Sequence, residues 1–332
     1  MHEPPYKVSD RAMECMVEIA AALERYKIVM EGPDGVRLRK LNHIRTIRGT
    51  TAIEGNTLTE AQITAVLAGK RVIAPKREIE EVKNAHKVYS AIESFNPYSA
   101  DDLLKAHSLM TEGLVDRPGK WRNCNVGVMG DGGVSHIAPP FSMVPGLMSD
   151  LFSWLNESEA PMLIKSSVFH YEFEFIHPFP DGNGRMGRLW QTALLGNWRE
   201  EFYGVPVENI VWAHQSEYYD AIRKSGATGE CGLFIDFMLD KILRTLKARG
   251  EAYGIVGKSR DKGRDKSMDK SRDKSRDKIL KLLKSQPQLT QADLADAIGL
   301  SVKAVEKAIA QLKDANRLRR KGGKKFGEWE VV

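Results

Sequence analysis

Twelve residues constrain this chain more than any others: His177-Pro-Phe-Pro-Asp181-Gly182-Asn183-Gly184-Arg185-Met186-Gly187-Arg188. They end one segment that reads as a mostly buried helix, Leu163 to Phe175, and open another, Asn183 to Trp198. Pro178 and Pro180 cannot continue the first helix, so it stops at Ile176. A turn with two glycines follows, and the new helix presents free backbone N–H groups to an anion. Arg185 and Arg188 are three apart, hence on one face, where they can grip phosphate oxygens. Asp181 is a hard oxygen ligand suited to Mg²⁺, which commonly binds through one or two carboxylates plus substrate phosphates. Asn183 adds a neutral donor. His177 precedes the anion site and has the unperturbed pKa of a general base. The groups together describe a Mg-nucleotide site with a base beside it. An EF-hand is excluded, because Met186 stands where that loop demands Gly and no Glu occupies the twelfth place. There is no Walker A sequence and no HExxH.

Around this stretch the pattern is helical. Leu38, Leu41, Ile44 and Ile47 make one apolar stripe. Thr59 and Gln62 read as a capping box before Ile63, Val66 and Leu67, and Ser99 with Asp102 as a weaker one before Leu103, Leu104 and Leu109. Met148, Leu151, Phe152 and Leu155 mark a further helix, and Leu233 to Leu246 the last before a linker. Trp121 to Phe141 differs: it is rich in Gly and Val, contains Asp131-Gly132-Gly133, and predicts a β-hairpin. His170, seven residues before His177, shares its helix face and reads as a packed core histidine.

Charge divides the chain. From Ser259 onward there are 20 Lys/Arg against 11 Asp/Glu, net +9; the 258 residues before it hold 30 against 33, net −3. A basic tail points to a polyanion such as nucleic acid. Residues 259–278 are five tandem tetrapeptides (SRDK, GRDK, SMDK, SRDK, SRDK) with Met268 as their one apolar residue, a solvated spacer. Beyond it, residues 279–332 read as helix, helix, a turn at Gly299, helix and a β-hairpin around Gly322-Gly323, the order of a winged helix-turn-helix. The three cysteines, Cys15, Cys124 and Cys231, are widely spaced and fit a reducing cytoplasm better than a disulfide framework. Apolar runs fall short of the ~20 residues of a membrane span, and the N-terminus lacks the apolar core of a signal peptide. A cytoplasmic location without membrane contact is therefore expected.

The twelve residues match every fixed position of the Fic signature, His-x-Phe-x-(Asp/Glu)-Gly-Asn-Gly-Arg-x-x-Arg, and the chain resembles that family over residues 35–245. The resemblance implies a mainly α fold, a Fic-type helical domain with a β-hairpin flap, here followed by the winged helix. It implies transfer of AMP from ATP to a hydroxyl side chain (Tyr, Thr or Ser) of a target protein. His177 would take the hydroxyl proton, and Asp181 would hold Mg²⁺. Gly182, Asn183 and Gly184 would cradle phosphate, with Arg185 and Arg188 on the β- and γ-phosphates. Phe179 would anchor the core. Thr50-Thr-Ala-Ile-Glu54-Gly55-Asn56 resembles the family's inhibitory motif, whose Glu pairs with the second arginine of the signature, here Arg188. Residues 121–140 resemble the flap on which a target docks by strand addition. Tyr218 and Tyr219 resemble a tyrosine pair near the adenine. The expected division is an N-terminal helical region with the inhibitory helix (1–95), a catalytic domain (96–250), the charged linker (251–278) and the winged helix (279–332). The alternative is a DNA-binding regulator whose front domain senses nucleotide. Arg319, Arg320, Lys321, Lys324 and Lys325 suit phosphate contacts, while Lys303, Glu306 and Lys307 offer little for base reading. Docking of a protein, or dimerisation to a homodimer, is the other expected use of this module.

Overall fold

A computed structural model describes residues 3–130 and 133–252 and, within the tail, 279–280, 282–284, 287, 291, 294, 302–314, 317–321 and 328–331. At residues 128–130, 133–137 and 249–252, and at several tail positions, only the backbone is described. The chain divides into two compact units, Met1–Gly257 and Lys258–Val332. The tetrapeptide repeats, Gly299 and Gly322-Gly323 lie outside the described residues.

The first unit is helical: α1 (Asp10–Glu31), α2 (Gly35–Ala52), α3 (Glu60–Leu67), α4 (Lys76–Ser90), α5 (Ala100–Met110), α6 (Val144–Glu157), α7 (Met162–Ile176), α8 (Asn183–Trp198), α9 (Val207–Ala213), α10 (Gln215–Thr228) and α11 (Gly232–Ala252). One antiparallel hairpin interrupts them, β1 (Gly127–Gly130) with β2 (Gly133–Ile137), its register shifting between Val128 and Met129. Local rules account for many boundaries. Both halves of the capping box at Thr59 and Gln62 are formed, and the Ser99 side chain accepts from the Asp102 amide. Pro161 precedes α7 and the two later prolines end it.

α7 and α8 pack together at the centre. Leu163 to Phe173 are buried on all sides of α7, as are Asn183 and all residues from Arg185 to Gly196 of α8. A helix with no wet face must be enclosed by others. One apolar cluster runs from Ala12 to Leu246, so helices on both sides of residue 95 share a single core. Fully burying each large apolar side chain contributes about 1.5–3 kcal/mol. α2, which leads into Glu54, lies against α9 at Gly49, where a Cβ would stand 2.5 Å from the Asn209 nitrogen. Only glycine permits that approach.

In the tail, α12 (Val302–Asp314) and the antiparallel strands β3 (Leu318–Lys321) and β4 (Glu328–Val331) follow the expected order. Val305, Ile309, Leu312, Leu318 and Trp329 form their own core with Ile279, Leu280, Leu283 and Leu294.

Candidate active site

The turn between α7 and α8 is held from several sides. His177 caps α7 in the left-handed region, φ 50°, ψ 61°, and is the one non-glycine among the described residues with positive φ. Such a conformation costs roughly 1–2 kcal/mol and persists only when its surroundings impose it. The Asn183 side chain closes the turn on itself: its Nδ2 donates to the Phe179 carbonyl and its Oδ1 accepts from the Phe179 amide, both at 2.8 Å. Its side chain is thus not the spare donor expected from sequence. Phe179 is fully buried, as expected of an anchor, and stacks on His107 with ring centroids 3.6 Å apart.

His107 supports the turn and carries no sequence signature. Its Nδ1 accepts from the Gly119 amide at 2.9 Å, so its Nε2 carries the proton and donates to the Asp181 carbonyl at 3.0 Å. Burial holds this imidazole neutral, its pKa pushed down to about 4. His170 is likewise fully buried, between Gln191 Oε1 at 2.7 Å and the Tyr218 hydroxyl at 3.0 Å, with its pKa driven by burial to about 3.

Gly182 opens α8 with φ 87°, a glycine requirement, since a Cβ there would also stand 3.0 Å from the Thr111 methyl. Beyond it the first amides of α8 have no partner within the helix. Arg185 and Arg188 are both buried, 3% and 1% exposed, so the guanidinium groups face inward and not into solvent. Arg185 Nη2 donates to Asp181 Oδ1 at 3.1 Å, and the other Asp181 oxygen accepts from exposed Arg77 at 3.1 Å. Arg188 Nη2 donates to Glu54 Oε1 at 2.8 Å and to the Thr50 carbonyl at 3.1 Å. A Cβ on Gly184 would lie 2.7 Å from that same Glu54 oxygen. The Glu54 carboxylate thus covers the start of α8, an anion in the anion-binding position.

The end of α2 aims Glu54 there. Gly55, at φ 91°, reverses the chain, and Asn56 donates its amide to the Thr51 carbonyl at 3.1 Å. Gln215 Nε2 donates to the Ile53 carbonyl at 3.1 Å and pins the loop to α10. Glu174 on α7 is a second carboxyl near Arg188. Burial, opposed by Arg188 and reinforced by Glu54, lifts its pKa to about 7. Tyr218 packs in the core against Phe234 and Phe237, while Tyr219 is half exposed, 5.3 Å from it by ring centroid.

The arrangement fits a magnesium-bound triphosphate. The buried Nε groups of Arg185 and Arg188 have no acceptor among the described residues. The cradle at Gly184 is open enough for an oxygen and already holds one. The donor set for a cation is a single accessible carboxylate, Asp181, which suits an ion completed by phosphates and water; no group of three metal-binding side chains occurs among the described residues.

A buried helix pair joined by a glycine-rich turn, with two inward guanidinium groups and a β-hairpin tied to its end, defines a helical domain whose turn offers amides and cations to an anion. Residues 97–195 match the Fic/DOC family model, and residues 272–319 match the model described as winged helix-turn-helix DNA-binding. The crystal structure of a Fic family protein from Desulfovibrio desulfuricans G20 superposes with a TM-score of 0.74 at 34% identity, covering 100% of this chain and 98% of that one. The chain belongs to the Fic family. Among curated proteins, "Protein adenylyltransferase Fic" of Culex quinquefasciatus is 31% identical over 222 residues, 63% of this chain and 42% of that protein. This chain therefore spans about two fifths of the length of that relative. Fic-1 from C. elegans, residues 134–508, shares the fold at TM-score 0.60 with 21% identity.

Arg77, His107 and Arg122 are the site residues that sequence reasoning missed. Arg77 and Arg122 are far from the signature in sequence and meet it only in space. No helix among the described residues is long and apolar enough to cross a membrane.

Proposed function

We propose that this chain is a protein adenylyltransferase. The observation that carries the reading is Glu54: a carboxylate from the turn after α2 rests 2.8 Å from Arg188, over the start of α8, where a terminal phosphate would bind. The match of adenylyltransferases in the curated set supports the same chemistry. The target's hydroxyl oxygen attacks the α-phosphorus of ATP while His177 takes its proton. The bond from the α-phosphorus to the bridging oxygen breaks, and pyrophosphate leaves with that electron pair. Arg185, Arg188 and the α8 amides hold the β- and γ-phosphates in line, so catalysis is positioning plus charge neutralisation. Asp181 is the residue to hold Mg²⁺, which when bound neutralises charge building on the leaving phosphates. Residues 1–95 supply the latch and 96–250 the transfer site. Glu54 and the γ-phosphate compete for Arg188, so ATP sits unproductively until Glu54 leaves.

The test uses ATP labelled at the α-phosphate. The expected outcome is self-labelling that rises at least about 10-fold in Glu54→Gly and vanishes in His177→Ala. A Glu54→Gly protein that binds ATP yet transfers no nucleotide sinks the reading.

The net +9 tail and the winged-helix match favour a second activity for residues 279–332, contact with duplex DNA. Binding should weaken steeply with salt. Affinity that ignores salt, or none, removes it. Of the basic wing residues, Lys324 and Lys325 lie outside the described residues, as do the side chains of Lys303, Lys307, Arg320 and Lys321.

A further inference from the structure

We propose that Arg122 is a positioning residue for the transfer reaction: its guanidinium ties both feet of the β1–β2 hairpin to the carbonyl of His177, so that the seating of a bound segment on the hairpin sets the place of the imidazole. The inference rests on the proposed role of His177 as base.

Four backbone carbonyls converge on this one side chain. Nε donates to the His177 carbonyl and Nη1 to the Cys124 carbonyl, each at 2.9 Å. Nη2 donates to the Pro139 carbonyl and, at 3.4 Å, to that of Ile176. The Arg122 amide donates to the Pro178 carbonyl at 2.9 Å. Cys124 stands just before β1 and Pro139 just after β2, so the guanidinium clasps the hairpin at its base. Phe141 closes the same base by donating its amide to Asn125 Oδ1 at 3.0 Å. Ile176, His177 and Pro178 are the end of α7 and the start of the signature. Every residue of this strained corner offers its carbonyl to Arg122, by side chain or backbone.

The chemistry is unusual for an arginine. The side chain is buried at 3% exposure, yet no ion pair among the described residues includes it. Burial lowers its pKa from the ordinary arginine value. A cation kept in such a place without a carboxylate costs desolvation free energy, and the four carbonyl dipoles help to offset that cost. A planar fork with five donors can serve carbonyls in several directions at once; an ammonium cannot match that geometry. A plain core contact would use an apolar side chain here. A tie from the hairpin base to the left-handed His177 needs a fork. Displacement of either hairpin foot pulls on the guanidinium and hence on the His177 carbonyl.

The experiment uses full-length Glu54→Gly as background, with Arg122→Met and Arg122→Lys added. Arg122→Met should lower kcat for AMP transfer roughly 30- to 100-fold, as misplacement of a reacting group by about 1 Å does, while ATP affinity stays within about 3-fold. Arg122→Lys should recover part of the loss. Spectra of ¹⁵N-histidine-labelled protein, with the His177 signal assigned by its loss in His177→Ala, should show that signal moved in Arg122→Met together with the backbone amide of His136 in β2. If Arg122→Met does not fold, Arg122→Lys carries both readouts. An unmoved His177 signal, or ATP affinity falling in step with kcat, overturns the inference. Absent transfer in Glu54→Gly itself, with the His177 signal still moving in the Arg122 variant, removes the proposed activity and leaves the mechanical tie standing.

Discussion

The two flanks of the α8 N-terminus carry the same pair of charges and hold them differently. On one flank Arg185 meets Asp181, four residues away on the same turn, with the carboxylate 42% exposed. On the other Arg188 meets Glu54, 134 residues away in the turn after α2, with the carboxylate 35% exposed. Both guanidinium groups are buried, Arg185 at 3% and Arg188 at 1%, so the flanks differ in reach and not in wetness. The first pair forms within the signature turn itself. The second is made only when α2 docks, and its carboxylate then lies over Gly184. A half-exposed carboxylate adds little by itself, about 0–1 kcal/mol, whereas removing a buried guanidinium from its partners costs several. Under the proposed function the local flank serves exchange and the long-range flank control.

Substitutions can break that contrast. Arg188→Met should cost the most, about 2–4 kcal/mol of stability by chemical denaturation, and should abolish the effect of Glu54→Gly on ATP affinity. A loss below about 0.5 kcal/mol would mean the long-range flank is no tighter than the local one.

Next comes pH, where the flanks should behave alike. His107 props the Asp181 side and His170 the Arg188 side, and both imidazoles titrate well below their ordinary value when folded, at about 4 and about 3. Their folded pKa values are depressed, so the fold gains stability from them above pH ~6.5 and loses it as pH falls towards those values, each by up to about 1.4 kcal/mol per pH unit. Glu172 and Glu174, both raised by burial to about 7, act in the opposite sense: stability falls as pH rises from ~4.3 to 7. The terms offset in wild type, so the measurement is a difference. His107→Asn should flatten the loss of stability between pH 6.5 and 4.5 relative to wild type; an unchanged slope would place that proton elsewhere.

The smallest effect should come from Asp181→Asn, within about 0.5 kcal/mol of wild-type stability, with ATP still binding but its Mg²⁺ dependence reduced. A large loss of stability would show that the local flank is structural too.

Most of the helices were legible because their causes are local. The Thr59–Gln62 box, the Ser99 cap and the two prolines after Ile176 act within four residues, and each does in the fold what its chemistry dictates. The signature turn was legible for the same reason, with one exception. Asn183 looked like a donor for a ligand, but its side chain is consumed by the Phe179 backbone. An amide beside a free amide–carbonyl pair bonds whichever is nearer, and spacing alone does not say which.

From the order of residues alone came the helix–turn–helix that offers amides and guanidinium groups to an anion, because backbone sterics and helix periodicity operate over a few residues. Tertiary packing alone decided that Glu54 reaches Arg188, that His107 holds the Asp181 carbonyl, and that Arg122 gathers four carbonyls at the hairpin base. These contacts join residues 54 or more positions apart wherever they reach the signature, and their geometry exists only once a shared apolar core has fixed the distances between helices.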